Sequence, residues 1–283
     1  MNKLAQRFVV FAIGLPLIVF IVIFLPQRYH LFLNILVIVF SSLGAMEFSD
    51  ILRKKGFPIK LPEAALLGMV SPVAETLTVS FAVTNRIISA AFIFFAGCIL
   101  VSLIFSKEDR LQDAVNRAVC GFSLIIYPGL FMSWIIRMAH WENAHYVILF
   151  FLLIVIANDS TAWAFGMLFG KGNRKFIPAS PNKSIAGFIG GFAASVLVGM
   201  GASLFLKEAF QPEILSPALS GFILGSFTGI AATLGDLGES ALKRSAGVKD
   251  SGGLIPGRGG ILDSIDSIAL AAPVFYAIYW FLF

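Results

Sequence analysis

The sequence has little charge and few of the side chains that usually carry catalysis or metal binding in soluble enzymes. Asp, Glu, Lys and Arg make up only 13% of its 283 residues, and there are three His and two Cys. Cys98 and Cys120 both lie in apolar segments, where a thiol is most often a small buried hydrophobic group, so neither a disulfide nor a cysteine-ligated metal is indicated. No Ser-His-Asp or Cys-His pattern and no nucleic-acid-binding module stands out. These absences argue against redox chemistry, triad catalysis and a nucleic-acid partner.

Long apolar runs are what the sequence has in abundance. Hydrophobic residues make up 58% of the chain, and the mean hydropathy is +0.89. Such a composition is typical of a polytopic, all-α integral membrane protein, and no other stretch is long enough for a separate soluble domain. We therefore expect a single membrane domain over 1–283. The predicted spans, about nine, are 8–25, 29–48, 61–81, 87–105, 118–139, 145–169, 185–206, 217–235 and 267–283.

The distribution of basic residues predicts the orientation of these spans. When alternate loops are compared, all but four of the 21 Lys and Arg residues fall on one side. Positive residues near span ends are retained in the cytoplasm, so the N-terminus is expected inside and the C-terminus outside. This places the segments 170–184 and 236–266, both expected to be loops, on the cytoplasmic side.

Paired acids lie at the borders of the last two spans. Asp263 and Asp266 are three residues apart, so on a helix beginning near 261 their carboxylates project from one face. Asp236 and Glu239 repeat this spacing. Carboxylate oxygens suit Mg²⁺, which takes one or two protein carboxylates and completes its shell with water and phosphates. The alternative is that Asp263 only caps a helix.

Other polar residues point to phosphate chemistry. The glycines of 252–260 leave backbone N–H groups uncovered, and the basic residues of 243–258 lie nearby, so this segment could hold phosphates or could be a flexible loop. Asp159 lies inside an apolar segment, where an ionisable group is a functional-site hypothesis by default. Segment 171–184 adds Lys171, Arg174 and Lys175. Glu47, inside the second span, is either a site residue or an interfacial acid.

One segment, residues 240–266, combines these basic, acidic and glycine residues at defined spacings: Ser240, Lys243, Arg244, Lys249, Asp250, Gly252, Gly259, Gly260, Asp263 and Asp266. Their pattern is similar to S-x-x-K-R-x4-K-D-x-[GSA]-x5-H-G-G-x2-D-R-x-D. It resembles the C-terminal signature of the phosphatidate cytidylyltransferase (CDP-diacylglycerol synthase) family. The upstream residues Asn158, Asp159, Ser180, Asn182, Lys183 and Asp236 also resemble the family, so the likeness covers about 145–283, and the helices of 1–140 have no assigned role.

The resemblance implies transfer of CMP from CTP to phosphatidate with Mg²⁺ as cofactor, and a second cation is considered. The expected location is a bacterial inner membrane, with the active site facing the cytoplasm. CTP, phosphatidate and membrane lipids are the expected partners, and a homodimer is considered. Metal binding is expected at Asp236, Asp263 and Asp266. Further catalytic residues are Lys243, Arg244, Lys249 and Asp250, and substrate contacts are expected from Asn158, Asp159, Ser180, Asn182, Lys183, Ser240, Arg258, Gly259 and Gly260.

Two positions depart from the family pattern. Arg258 stands where the family usually has His, and Ser264 stands where it usually has Arg. One cation is lost and another appears six residues earlier. We therefore expect Arg258 to replace the missing positive charge at position 264.

Two other functions remain open at this stage. A CTP-dependent polyprenol or phytol kinase would need similar phosphate and metal chemistry, and it is distinguished by its product. An ion or phosphate transporter could also place acids near the membrane, but its charges are expected at mid-membrane in two related halves.

Overall fold

The computed structural model describes residues 3–57, 59–105, 108–172 and 176–283. Arg174 and Lys175 lie outside the described residues. Within these ranges the chain is helical and forms no strand, which confirms the all-α prediction. The ten α-helices are α1 (Lys3–Phe24), α2 (Gln27–Lys54), α3 (Leu61–Phe81), α4 (Arg86–Ile104), α5 (Ala114–Leu124), α6 (Phe131–Met138), α7 (Ala144–Phe169), α8 (Ile185–Phe205), α9 (Pro217–Ser245) and α10 (Leu262–Leu282).

The helices agree with the predicted spans. Eight helical segments are long and apolar enough to cross a membrane, and the apolar part of α1, Val9–Phe24, is a shorter ninth. One of the eight, Leu111–Met138, combines α5 and α6 through a π-helical turn at Ile125–Leu130. The protein is therefore an integral membrane protein, while the orientation of its termini stays a prediction.

The expectation of a loop over 236–266 is wrong for its first ten residues. Helix α9 runs from Pro217 to Ser245, well past the end of the apolar span predicted at 235. Hydropathy marks only where the apolar stretch ends. The helix continues beyond that point because residues 236–245 contain no Pro and only one Gly, Gly238, that would weaken a helix. The loop that remains, residues 246–261, is called the glycine-rich loop below.

The chain divides into two compact units. Unit 1 consists of the described part of 1–140 together with 245–265, and unit 2 consists of 141–244 together with 266–283. The glycine-rich loop thus packs with the N-terminal helices.

Unit 1 is held by close packing of α2 on α3 and by one buried ion pair. A side chain at Gly68 on α3 would collide with the α2 backbone at Ser41 and with Ala45, so glycine permits the approach. Arg137 on α6 makes a bidentate pair with Glu75 on α3, with Nε–Oε1 at 2.8 Å and Nη2–Oε2 at 3.2 Å. Pairing of this kind offsets the cost of burying the Glu75 carboxylate.

Unit 2 is held by glycine contacts and by aromatic packing. Gly187 and Gly191 on α8 lie against the α7 backbone at Ala162 and Asn158, as small residues do where membrane helices approach closely. Gly199 makes a similar contact with Gly221 and Gly225 on α9. Phe151 on α7 and Phe275 on α10 are fully buried, with ring centroids 5.1 Å apart. These contacts pack α8 against α7 and α9, and α7 against α10; α7, α9 and α10 carry the acids of the candidate site.

Candidate active site

Four acidic side chains converge within unit 2. Asp266 lies near the start of α10 and is only 6% exposed. Asp236 and Glu239 on α9 and Asp159 on α7 are near enough for their charges to act on Asp266. We call these four residues the carboxylate cluster. Gly235 allows α9 to reach α10 here, because a side chain at that position would collide with the Asp266 carbonyl oxygen.

Two lysines neutralise part of the carboxylate cluster. The Lys183 Nζ atom lies 2.5 Å from Asp236 Oδ2, and Lys243 forms an ion pair with Glu239, one turn away on α9. Lys183 directly precedes Ser184, whose hydroxyl accepts a hydrogen bond from the Gly187 N–H and caps α8. The cap fixes the backbone at the start of α8, and this holds the neighbouring Lys183 close to the carboxylate cluster.

Hydroxyl groups complete the surroundings of the cluster. The Ser240 hydroxyl donates to Asp236 Oδ1 at 3.4 Å, and the Ser267 hydroxyl donates to Asp159 Oδ1 at 3.4 Å. The Ser267 backbone N–H donates to Asp266 Oδ1 at 2.6 Å. The structure therefore brings together predicted site residues from α7, α9, α10 and the segment before α8.

Asn158, predicted as a substrate contact, instead links three helices. Its Nδ2 atom donates to the Ser195 hydroxyl on α8 at 3.0 Å and to the Gly229 carbonyl on α9 at 3.3 Å. Its Oδ1 atom accepts from the Thr233 hydroxyl at 3.2 Å. The side chain is 2% exposed, and its polar atoms are engaged by protein groups. Its substrate contact stays a prediction, while its observed role is packing.

Asp263 belongs to unit 1 and contacts the glycine-rich loop. Its Oδ2 atom accepts from the Gly260 N–H at 2.7 Å, from the Ser251 N–H at 2.9 Å and from the Ser251 hydroxyl at 2.9 Å. All three of these donors lie in the loop before α10, so these contacts do not make Asp263 a cap of that helix. Shared metal binding by Asp263 and Asp266 stays a prediction.

The remaining predicted residues of the signature lie on the surface of unit 1 and on α9. Lys249, Asp250 and Arg258 in the glycine-rich loop are exposed, and so is Arg244 on α9. Residues 255–259 form a tight turn in which the Ile255 N–H donates to the Gly259 carbonyl at 2.8 Å. Gly259 has φ +118°, a conformation that favours glycine, and a side chain there would also press on Asp263.

The predicted residues of the segment before α8 differ in their surroundings. Asn182 is exposed and Ser180 is half-buried, and the Ser180 carbonyl accepts from the Lys183 N–H at 3.1 Å. This turn therefore shapes the backbone that presents Lys183. No contact in the structure assigns a further role to Ser180 or Asn182.

Sequence reasoning missed a cleft in unit 1 beside the glycine-rich loop. Its volume is about 530 Å³, and its lining comprises Asp50, Arg53, Lys54, Asp250, Ser251 and Gly252. In the sequence, Arg53 and Lys54 contribute only to the excess of basic residues that predicts the membrane orientation of the spans. Their position could be found only from the packing of α2 against a loop about 200 residues later in the chain.

The donor chemistry of the carboxylate cluster fits a hard divalent cation. All four acids offer oxygen ligands, and their mutual repulsion would be relieved by added positive charge. The described residues contain no group of three or more His, Cys, Asp or Glu side chains already arranged around a metal position. Mg²⁺ commonly uses only one or two protein carboxylates, so the cluster can fit it without such a closed group.

Comparison with known proteins identifies the family. The profile of the cytidylyltransferase family matches residues 5–282. Curated proteins named phosphatidate cytidylyltransferase are similar to the chain. The Staphylococcus saprophyticus protein is 31% identical over 261 residues, covering 92% of this chain and 94% of that protein. The Synechocystis protein is 30% identical over 259 residues, covering 83% of each.

A third relative of the same name, from Haemophilus influenzae, is 41% identical over 191 residues. That match covers 65% of this chain and 64% of the relative, so the chain spans just under two thirds of that protein. Because the family profile covers nearly the whole sequence, the chain belongs to the cytidylyltransferase family.

Proposed function

We propose that the protein is a membrane enzyme that transfers the CMP group of CTP to phosphatidate, forming CDP-diacylglycerol and pyrophosphate. Family membership and the names of the relatives support this reaction. The observation that carries the proposal is the carboxylate cluster with Lys183 and Lys243, placed on helices long enough to cross a membrane. A lipid substrate and a polyphosphate need such a combination of membrane helices and charged groups.

The reaction needs no strong base on the protein. An oxygen of the phosphatidate phosphate, already an anion near neutral pH, attacks the α-phosphorus of CTP and forms the new P–O bond. The bond from the α-phosphorus to the bridging oxygen breaks, and pyrophosphate leaves with the electron pair. The main obstacle is repulsion between two anions, so catalysis consists mainly of charge neutralisation and alignment.

The lysines of the cluster are suited to this task. Lys183 and Lys243 would bind phosphate oxygens when these compete with Asp236 and Glu239 for the ammonium groups. The Asp236–Lys183 and Glu239–Lys243 pairs hold the ammonium groups in place before substrate binds, which reduces the reorganisation needed at the reaction step. Both lysines are less than fully exposed, so their charges are weakly screened by solvent.

Mg²⁺ would be held by Asp266 and Asp236, with Glu239 and Asp159 beside them. When bound, it would supply positive charge to the triphosphate and the leaving pyrophosphate. The support for this assignment is the concentration of carboxylates around one buried Asp. A second cation and a homodimer remain part of the proposal without a specific contact in their favour.

We place the charged site on the cytoplasmic side of a bacterial inner membrane. The excess of Lys and Arg in alternate loops supports this orientation. CTP would then reach the site from the cytoplasm, and phosphatidate would reach it from the lipid phase.

The position of a radiolabel in CTP tests the proposed reaction. Purified protein is incubated with phosphatidate or with a polyprenol, using CTP labelled on either its α- or its γ-phosphate. We expect α-label in the lipid product with phosphatidate, none from γ-label, and loss of product in EDTA. Transfer of the γ-label to a lipid would instead identify a kinase. If neither label enters lipid, with protein of verified fold, both reactions are rejected.

A further inference from the structure

Glu47 is an acid inside a membrane-spanning helix, and the structure surrounds it with donors from the glycine-rich loop. It lies seven residues before the end of α2 and is only 6% exposed. A charged side chain in such a position is costly unless it is paired. Its partners are 204 to 215 residues away in sequence, so they are supplied by the fold and not by the local helix.

Each carboxylate oxygen of Glu47 has a defined partner. Oε1 accepts from the Ile261 N–H at 3.0 Å. Oε2 accepts from the Leu262 N–H at 2.8 Å and from the Ser251 hydroxyl at 3.0 Å. Two of these donors belong to the start of α10, where N–H groups have no partner within the helix, and the third, Ser251, lies in the first half of the glycine-rich loop. Glu47 therefore joins the first half of the loop to its C-terminal end at one point.

Two glycines of the signature are explained by this contact. A side chain at Gly252 would collide with Glu47 Oε1, and a side chain at Gly260 would collide with Glu47 Oε2. The loop backbone can close on the carboxylate only where the side chain is absent. This gives Gly252 and Gly260 a steric role beside the phosphate-binding role expected from the sequence.

Ser251 connects Glu47 to Asp263. The Ser251 hydroxyl lies 3.0 Å from Glu47 Oε2 and 2.9 Å from Asp263 Oδ2, and it also accepts from the Asp263 N–H at 3.3 Å. A hydroxyl has a single proton, so it can donate fully to one carboxylate at a time. The position of Asp263 and the position of the loop are thus set together by Glu47.

We infer that Glu47 is a positioning residue that holds the glycine-rich loop and the first turn of α10 in the arrangement used for cytidylyl transfer. This inference rests on the proposed function. It assigns Glu47 no contact with substrate. Its action passes through Ser251 and the backbone of 261–262.

The test measures loop motion and catalysis separately. A spin label is attached to Leu254→Cys, an exposed loop position, after both native cysteines are replaced. Glu47→Gln places an NH₂ group against at least one N–H donor, so we expect a more mobile label. We also expect a kcat about 10- to 100-fold lower, with KM for CTP changed less than about 3-fold, because loss of alignment affects the reaction step more than binding.

Three further variants make the result specific. Glu47→Asp keeps both acceptor oxygens on a shorter side chain, so we expect partial recovery of both signals. Ser251→Ala keeps the two backbone donors but removes the hydroxyl bridge, so we expect an intermediate label mobility and kcat. Glu63→Gln changes an exposed acid of unit 1 and should leave both unchanged.

The two measurements separate the inference from the proposed function. If Glu47→Gln leaves label mobility and kcat of the folded protein unchanged, Glu47 has only a stabilising role and the inference is rejected. If Glu47→Gln does not fold, Ser251→Ala decides the question by the same criteria. If the parent protein makes no CDP-diacylglycerol but Glu47→Gln still mobilises the label, the loop contact stands and the proposed reaction fails.

Discussion

Two groups of acids in this protein, each centred on a buried carboxylate, are stabilised in opposite ways. In unit 1, Glu47 and Asp263 accept hydrogen bonds from backbone N–H groups and from Ser251. In unit 2, Asp266 lies among three other carboxylates, and lysines pair with two of them. In the first arrangement, hydrogen bonds from the protein's own backbone and from Ser251 stabilise the carboxylates and fix the glycine-rich loop. The second concentrates like charges, which costs stability and is retained where a site binds an external cation or phosphate.

The largest effect is expected for Asp266→Asn. This change keeps the shape of the side chain but removes the central charge of the carboxylate cluster. We expect CDP-diacylglycerol formation to fall by about 10² to 10³-fold, because charge neutralisation is the main catalytic contribution. The measurement is turnover of labelled CTP by protein of verified fold. Glu142→Gln, an exposed acid of unit 2, is the control, and equal turnover by both variants would remove Asp266 from the site.

A smaller loss is expected for Lys183→Ala. The change leaves Asp236 without the ammonium group 2.5 Å away and removes a candidate phosphate ligand. We expect kcat/KM for CTP to fall about 10- to 100-fold, with Lys183→Arg retaining part of the activity. Lys171→Ala, an exposed lysine of the same segment, should have little effect. A similar loss from Lys171→Ala would indicate a general effect of surface charge.

Asn158→Ala separates packing from substrate contact within unit 2. Its amide joins α7 to α8 and α9, so removing it leaves buried partners unsatisfied and should cost about 1–3 kcal/mol of stability. We expect a lower Tm and nearly normal kcat/KM for the folded fraction. An unchanged Tm with a large loss in kcat/KM would restore the predicted substrate role.

The smallest effect is expected at the exposed turn of the glycine-rich loop. If Arg258 replaces the missing charge at position 264, Arg258→Ala should lower kcat/KM by about 3- to 10-fold. Adding Ser264→Arg to Arg258→Ala should then recover part of the lost kcat/KM. The control is Lys55→Ala, which removes an exposed charge elsewhere in unit 1 and should change kcat/KM little. A double variant no better than Arg258→Ala would reject the idea that both positions serve one phosphate.

Hydropathy predicted the helices well because apolar length is a local property. Asp236 and Glu239 lie on α9, although the hydropathy pattern assigned both to a loop. The end of α9 was mispredicted because hydropathy reports the end of the apolar stretch, while helix formation continues into the polar residues.

The partners of the buried polar residues could not be predicted in the same way. Glu47 was recognised as unusual, but its donors are more than 200 residues away and depend on tertiary packing. Asn158 was expected to bind substrate because it resembles a family position, and a polar residue in an apolar segment is also typical of residues that link helices. The sequence could therefore indicate which residues are unusual, whereas the structure was needed to distinguish a loop contact, a helix link and a charged cluster.

Direct binding of Mn²⁺, followed by electron paramagnetic resonance, tests the central contrast between the two groups of acids. The proteins compared are the parent, Asp266→Asn and Glu47→Gln, each without substrate. We expect the parent and Glu47→Gln to bind Mn²⁺ alike, and Asp266→Asn to bind at least about 10-fold more weakly, because Asp266 would be a ligand of the cation and Glu47 would not. Unchanged binding by Asp266→Asn, or a loss confined to Glu47→Gln, would contradict this assignment.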